Sequence, residues 1–565
     1  MEKCLGLGTF HLAILFQNAL SAPGCRVSGR DRIHHMRLLT PALIGAAALG
    51  AALAGPAQQQ EYDVLIRNGR VMDGSGNPWL RVDVGIRAGR IATVGRLPDA
   101  AAATVIDAAD RLVTPGFIDV HSHAAEGLTR PELRQGQPIL AQGVTTVVVN
   151  PDGGGPVDLA AQRLELEKGG VGPNVALLIG HGSVRRSVMR SANRAPTAEE
   201  LDHMRALVRN AMKAGAFGLS SGLFYTPGSF ATTGEVVELA RVAGGFGGLY
   251  TSHIRDEGDY GEGVVAAVQE VIQVAEEAGV IGIVSHMKAL GPDNWGLSVA
   301  STMRIEQARA RGVPVFADQY PYAASSTSLR AALLPGGVDL PTADRLKTPK
   351  EEMPAGERAD REALEATVRE NIRRRGGPAS LQIAFNGADR SLEGKNVAQI
   401  AEARGLAPEV AVLELLAAGN ASIVSFNMSE TDIRHIMTRP YTMTSSDGGL
   451  VAMGAGQPHP RNYGAFARRL AVYVRERGVT DLESAIRAMT SLPASVFGLK
   501  DRGVIREGAA ADLAIFDLSE VRDRATYTEP HQLAEGMAWV LVNGVPVIAE
   551  EEFTSALPGR VLSRW

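Results

Sequence analysis

His121 and His123 close the run "GFIDVHSH", and side chains two apart on a strand face the same way, so this pair can hold one metal ion together. His253 in "YTSHIR" and His286 in "IVSHMK" sit at the ends of two further short apolar runs, and Asp447 ends "YTMTSSDGG". Asp152 follows three valines in "VVVNPDGGG". Taken alone, an aspartate among Asn, Pro and Gly is a turn residue, and a lone histidine is more often a hydrogen-bonded core or loop residue than a ligand. Four of the 12 histidines at strand ends, with a carboxylate on the last strand, form a pattern that single residues do not. Imidazole nitrogens with carboxylate oxygens can together form a metal-ligand set.

The elements that must position these groups are short buried strands alternating with helices. The strand candidates are "GFIDVHSH", "VTTVVVNPD", "NVALLIGHGS", "AFGLSSGLF", "GLYTSHIR", "GIVSHMK", "PVFADQYPY" and "YTMTSSDGG". Helical stretches such as "TAEELDHMRALVRNAMKAGA" intervene, and eight such units predict an α/β fold of the (β/α)8, TIM-like barrel type over 116–497. Each candidate ligand then falls at the C-terminal end of a strand, where barrel enzymes place their chemistry. Alternating runs at both chain ends, over 60–115 and 498–550, predict one small composite β-sandwich domain. Residues 330–435 are too many for a plain crossover and read as an inserted, charged, helical subdomain.

Residues 1–57 stand apart from the fold. From Met36 an arginine, an uncharged Ala/Leu/Gly stretch and Ala52-Leu53-Ala54 have the layout of a secretory signal peptide, with translation starting at Met36. The expected location is periplasmic or secreted; an uncleaved leader would anchor the chain in a membrane instead. Both cysteines, Cys4 and Cys25, precede Met36, so the mature chain has neither disulfide nor thiolate chemistry. A net charge of -5 and a pI near 6.2 give no support for a nucleic-acid partner. Aromatics at 5% and 63 glycines favour a large α/β protein with many tight turns over an aromatic-rich sandwich.

On "GFIDVHSHAAEG", "GLSSGLFYTPG", "TSHIRDEG", "VSHMKALG", "DQYPYAASST", "SSDGG" with "HPRNYG", and "GVIREGAAADLAIFD", the chain resembles the amidohydrolase superfamily and within it the D-aminoacylase (N-acyl-D-amino-acid deacylase) group. The resemblance runs from about residue 62 to about 550. It implies zinc ligation by His121, His123, His253 and His286, with one or two ions, and Asp447 as the general base. It implies that Lys288 and Arg461 hold the substrate carboxylate and that Tyr225 and Tyr320 line the substrate pocket, with Tyr322 a rival in "YPY". The group has a cysteine thiolate after its second strand; this chain has Asp152 in that place. A carboxylate can take over as an anionic, even bridging, ligand, although it is a harder donor.

The implied reaction is hydrolysis of the amide of an N-acyl-D-amino acid, a small-molecule substrate, with Asp447 moving the proton and His181 in "GHGS" either supporting the polarised oxygen or serving a structural role. The D preference comes from the resemblance alone. The same residues admit hydrolysis of D-residue dipeptides or of cyclic amides of the hydantoin and dihydropyrimidine type. An exported metal- or solute-binding protein is the alternative outside enzymes.

Overall fold

The computed structural model describes residues 61–334 and 336–564; the leader, the Met36 start and both cysteines lie outside the described residues. Eight strands form the barrel: β1 (Phe117–His123), β2 (Val144–Val149), β3 (Asn174–Leu177), β4 (Gly218–Gly222), β5 (Leu249–His253), β6 (Gly282–Val284), β7 (Val315–Gln319) and β8 (Thr442–Thr444). Neighbours pair in parallel from β1 to β3 and from β4 to β8. Past Leu178 the third strand resumes as Ile179–Gly180, which pairs with β4. Past Asp447 the eighth resumes as Gly448–Gly449, which pairs with Ser122 and His123 of β1. The ring is therefore closed, and its last seam runs beside Asp447.

Val144–Val149 is buried along its whole length, as a parallel strand covered on both faces must be. Val147 and Val149 face the helix layer, whereas Val148 packs inside with Ile118, Val120, Leu178 and Phe217. His121 and His123 have the opposite parity to Ile118 and Val120. A register shift between Asp119 and Ser122 lets both pairs face the interior. Among the outer helices, Ala198–Lys213 starts at a capping box of Thr197 and Glu200 and buries Met204, Val208, Ala211 and Met212 on one stripe.

At the chain ends, Leu112–Pro115 pairs antiparallel with Leu513–Phe516, joining N- and C-terminal strands in one sheet. A second sheet, built on Tyr62–Arg67, packs Ile66, Val84 and Ile106 against Val113, Leu513 and Ile515. Two pairings within these sheets are parallel: Ala102–Asp107 runs parallel to Tyr62–Arg67, and Leu112–Pro115 parallel to Arg70–Val71. The chain crosses over before each returning strand, and a crossover gives the same direction.

The insert opens directly after β7. Strands Ser325–Ser328, Ala421–Ser425 and Leu381–Asn386 form an antiparallel sheet under helices that include Ala355–Arg374 and Pro408–Ala418, with its own core of Leu333, Val368, Ile383 and Ile423. Its borders differ from 330–435. It begins with the strand at Ser325, and helix Glu430–Met437 packs on the barrel helix Ser298–Ala310 and on β7 rather than on the insert.

Candidate metal centre

The loop "NPDGGG" leaves β2 in a conformation that its glycines permit. Asn150 and Asp152 have φ of 64° and 55°, in the left-handed region that costs a non-glycine residue about 1–3 kcal/mol. Asn150 secures the turn by donating from Nδ2 to Gln162 and to the Leu178 carbonyl. A Cβ on Gly180 would stand 2.1 Å from the Gly154 carbonyl oxygen, and one on Gly222 would stand 2.3 Å from that of Asp152. Small residues at the ends of β3 and β4 thus let the loop lie against them and turn Asp152 inward.

Two buried carboxylates fix the neighbouring strand ends. Asp119 accepts from the backbone N–H groups of His121 and Ser446 and from the Ser446 hydroxyl, which ties β1 to the segment carrying Asp447. Asp318 accepts from the His286 N–H at 2.9 Å and the Ser445 hydroxyl at 2.7 Å, tying together the ends of β6, β7 and β8. His286 and Asp447 themselves have φ of 34° and 47°, so these bonds hold strained positions.

The result is a compact set of donor atoms. Asp152 Oδ1 lies 3.3 Å from His121 Nε2 and 3.4 Å from His286 Nε2, and its Oδ2 lies 3.4 Å from His123 Nε2. Asp447 Oδ1 lies 3.2 Å from His123 Nε2 and 3.5 Å from His121 Nε2. His253 Nδ1 lies 2.9 Å from His286 Nε2. Two groupings follow, His121–His123–Asp152–Asp447 and Asp152–His253–His286, with Asp152 common to both. Ligands about 2.0–2.1 Å from one tetrahedral zinc lie about 3.3 Å apart, and the contacts of Asp152 and Asp447 with His121, His123 and His286, at 3.2–3.5 Å, match that edge length. His121 Nε2 and Asp152 Oδ1 are buried without a hydrogen-bond partner, so their lone pairs are left for a cation. The residues fit a metal.

The electrostatics agree. Burial opposes charge on His123, yet hydrogen bonds to Asp152 and Asp447 hold its pKa up at about 9. Burial and Lys288 oppose charge on His286, but Asp447 and Glu257 raise it to about 10. Burial alone dominates His253 and pushes it down to about 4. Burial would raise both aspartates; the histidines around Asp152, and Arg461 with His286 beside Asp447, keep each well below the usual carboxylate range. Both remain acceptors at neutral pH.

Lys288 and Arg461 are buried on the same cavity, with Tyr320 between them: its ring centre is 5.7 Å from Lys288 Nζ and 4.7 Å from Arg461 Cζ. Arg461 Nη1 lies 2.7 Å from Asp447 Oδ2. Tyr225 packs its ring 4.6 Å from the His253 ring, and its hydroxyl lies 3.2 Å from Thr327 of the insert. Tyr322 points elsewhere, to Asp523 and Arg468. His181 opens helix His181–Met189 and has its Nε2 2.9 Å from Glu235, which also binds Arg185. That places it in a buried structural network, not among the donor atoms.

Glu257 is not marked by any spacing or motif in the sequence. It lies four residues after His253, is buried, sits 3.0 Å from His286 Nδ1 and binds Lys288 Nζ. Lys288 Nζ in turn lies 2.7 Å from His286 Nδ1. A carboxylate behind a ligating histidine sets ring orientation. The only signal for it was a second acid in "SHIRDEG", where Asp256 is the loop-former, accepting from the N–H groups of Gly258, Gly261 and Gly263.

The amidohydrolase family model matches residues 104–548. An N-acyl-D-glutamate deacylase from Alcaligenes xylosoxydans xylosoxydans is 38% identical over 528 residues, covering 90% of this chain and 97% of the relative. A D-aminoacylase from the same organism is 36% identical over 530 residues, 89% of this chain and 98% of the relative. The crystal structure of N-acyl-D-glutamate deacylase from Bordetella bronchiseptica, complexed with zinc and a phosphonate mimic of the tetrahedral intermediate, superposes with a TM-score of 0.75 at 35% identity, over 89% of this chain and 100% of that one. With a closed eight-stranded barrel, a strand-end cluster of histidines and aspartates, and likeness of this extent, the chain belongs to the amidohydrolase family.

Proposed function

We propose that the protein is a zinc-dependent hydrolase of N-acyl-D-amino acids, releasing a carboxylate and a D-amino acid. The observation that carries this reading is the shared Asp152: one carboxylate within 3.3–3.4 Å of three histidine nitrogens, at the mouth of a cavity that also holds Asp447, Lys288 and Arg461. The full-length relatives act on N-acyl-D-amino acids by name, and the Bordetella relative binds zinc.

His121, His123, Asp152, His253 and His286 would hold one or two ions. Bound there, zinc supplies Lewis-acid polarisation of an amide carbonyl and an acidified water near neutral pH. The rest falls to the chain's own side chains. Asp447, ionised and aimed inward, takes a proton from the attacking water at Oδ1 and delivers it to the departing nitrogen. Arg461 keeps Asp447 ionised through Oδ2, leaving Oδ1 toward His123. Lys288, Arg461 and the tyrosines at 225 and 320 position the substrate, a guanidinium being suited to a planar grip on the α-carboxylate.

The decisive experiment is turnover of paired N-acetyl-D- and N-acetyl-L-amino acids by the zinc-loaded protein, before and after chelation. Zinc-restorable hydrolysis of the D series is expected; hydrolysis only of cyclic amides or dipeptides would replace this reading. In Asp447→Asn, zinc content should persist while kcat falls on the order of 10²–10⁴-fold. Retained turnover would remove Asp447 as the base.

A further inference from the structure

Three arginines meet at the end of the barrel opposite the metal centre. Residues 437–440 lead from helix Glu430–Met437 into β8, and Thr442 opens that strand, whereas Asp447 lies past its far end. Arg439, Arg469 and Arg487 line a cavity of about 270 Å3 there, together with Thr442, Thr480 and Asp481. None of these residues belongs to the donor set around Asp152.

Each guanidinium fastens the turn before β8 with one nitrogen. Arg469 Nη2 donates to the Met437 carbonyl at 3.5 Å, Arg487 Nη1 to the Pro440 carbonyl at 3.1 Å, and Arg439 Nη2 to the Thr438 hydroxyl at 3.1 Å. That role leaves several polar atoms unexplained. The Nε atoms of Arg439 and Arg469 and the hydroxyls of Thr442 and Thr480 are buried without a hydrogen-bond partner. Arg469 is only 3% exposed and Thr442 1%. Buried polar groups are nearly always partnered, so four around one cavity point to a ligand.

The charge points the same way. Among the described residues no carboxylate comes within 4.0 Å of the Arg469 or Arg487 guanidinium, and Arg439 has only Glu306, at 3.6 Å. The acid lining the cavity, Asp481, is already engaged as the cap of helix Leu482–Met489, accepting from the Ser484 N–H at 2.6 Å. Burial pushes Arg469 down to about 10, offset only in part by Tyr473 and Asp481, and it stays a cation at neutral pH. Burying a cation without an acid is unfavourable. Arg469 also opens a π-helical stretch, Arg469–Glu476, continuing helix Arg461–Arg468. Such wide turns are rare and concentrate at functional sites.

We propose that this cavity binds a phosphate-type dianion, supplied as inorganic phosphate or as the phosphate group of a small phosphomonoester. Three guanidiniums against one aspartate leave two positive charges, which a dianion cancels and a single carboxylate does not. Guanidinium forks match phosphate oxygens, and the Thr442 and Thr480 hydroxyls add donors to the same wall.

The test follows melting and titration calorimetry of the zinc-loaded full chain with inorganic phosphate and with glycerol 3-phosphate, against chloride at equal ionic strength. The melting temperature should rise by several degrees with phosphate concentration. Arg487→Gln should weaken binding about 10–100-fold, as for loss of a charge-assisted hydrogen bond. Thr442→Val removes a hydroxyl that has no protein partner, so the phosphate-free variant should melt no lower than wild type while phosphate binding weakens several-fold. Should Arg487→Gln fail to fold, Thr442→Val decides. Phosphate held at the metal centre would ignore both substitutions, so unchanged affinity in the variants overturns the proposal. A response equal to that of chloride, or tighter binding of succinate than of either phosphate, overturns it as well. Tighter binding of glycerol 3-phosphate or of inorganic phosphate supports the site and identifies which source supplies the anion.

Discussion

At the scale of single residues, Asp152 carries the most information. It is buried, strained at φ 55°, and its Oδ1 has no hydrogen-bond donor. A turn residue has no need of that combination, whereas a shared ligand does. Asp152→Ala should lower zinc content by at least one equivalent per chain and reduce turnover at least 100-fold, while Asp152→Cys, a softer anionic donor, should keep the metal. Unchanged zinc in the alanine variant, measured by mass spectrometry of the dialysed protein, would return Asp152 to a turn. Glu257 acts through others, orienting His286 and Lys288. Glu257→Gln is expected to lower zinc affinity or kcat/KM about 10–100-fold. The histidines add a proton linkage. His123 and His286, held at about 9 and 10, carry protons at pH 7, and a ligating nitrogen must lose its proton. Zinc affinity should therefore fall as pH drops, with protons released on binding. Titration calorimetry in buffers of different ionisation heat reads that release directly, and none at pH 7 would refute the linkage.

At the scale of elements, the site is a set of strand ends held in place by a few backbone contacts. Gly180, at the end of the third strand, is the sharpest of them. Its φ lies outside the left-handed region, so alanine adds no backbone strain, only a methyl group 2.1 Å from the Gly154 oxygen and 2.5 Å from Gly153. Gly180→Ala should push the Asp152 loop outward, costing about 1–3 kcal/mol by denaturant unfolding and weakening zinc binding together. Loss of stability with zinc affinity intact would show that the loop relaxes without moving Asp152. The strands themselves were legible because apolar runs of four to eight residues bounded by turn residues read as buried strands. The borders of the insert were not. Helix Glu430–Met437 is charged like the insert, and only its packing on Ser298–Ala310 assigns it to the barrel.

At the scale of the whole molecule, one closed ring gathers residues from 121 to 461 and lets the insert supply Thr327 and Arg375 to the cavity wall. A metal that binds only the folded ring stabilises it by mass action. Chelation should lower the melting temperature by several degrees and zinc should restore it; a melting curve indifferent to both would argue against a metal in this cluster. We also propose that residues before about 57 act as a cleavable export leader starting at Met36. N-terminal sequencing of the protein from its native source should begin near Gly55, and an intact Met1 would refute that proposal.

The strand–helix alternation and the placing of four histidines and Asp447 at strand ends can be read from the chain, because these are local in spacing and residue type; that Asp152 stands where a thiolate is expected comes from the resemblance to the D-aminoacylase group. That Asp152 stands between two groups of donor atoms, that Glu257 backs His286 and Lys288, that His181 belongs to Glu235, and that no carboxylate among the described residues meets Arg375 follow from the fold alone. Each of those depends on which strands become neighbours when the ring closes and on where the insert folds back over it. A pairing between residues on separate strands and loops leaves no periodic mark in the chain.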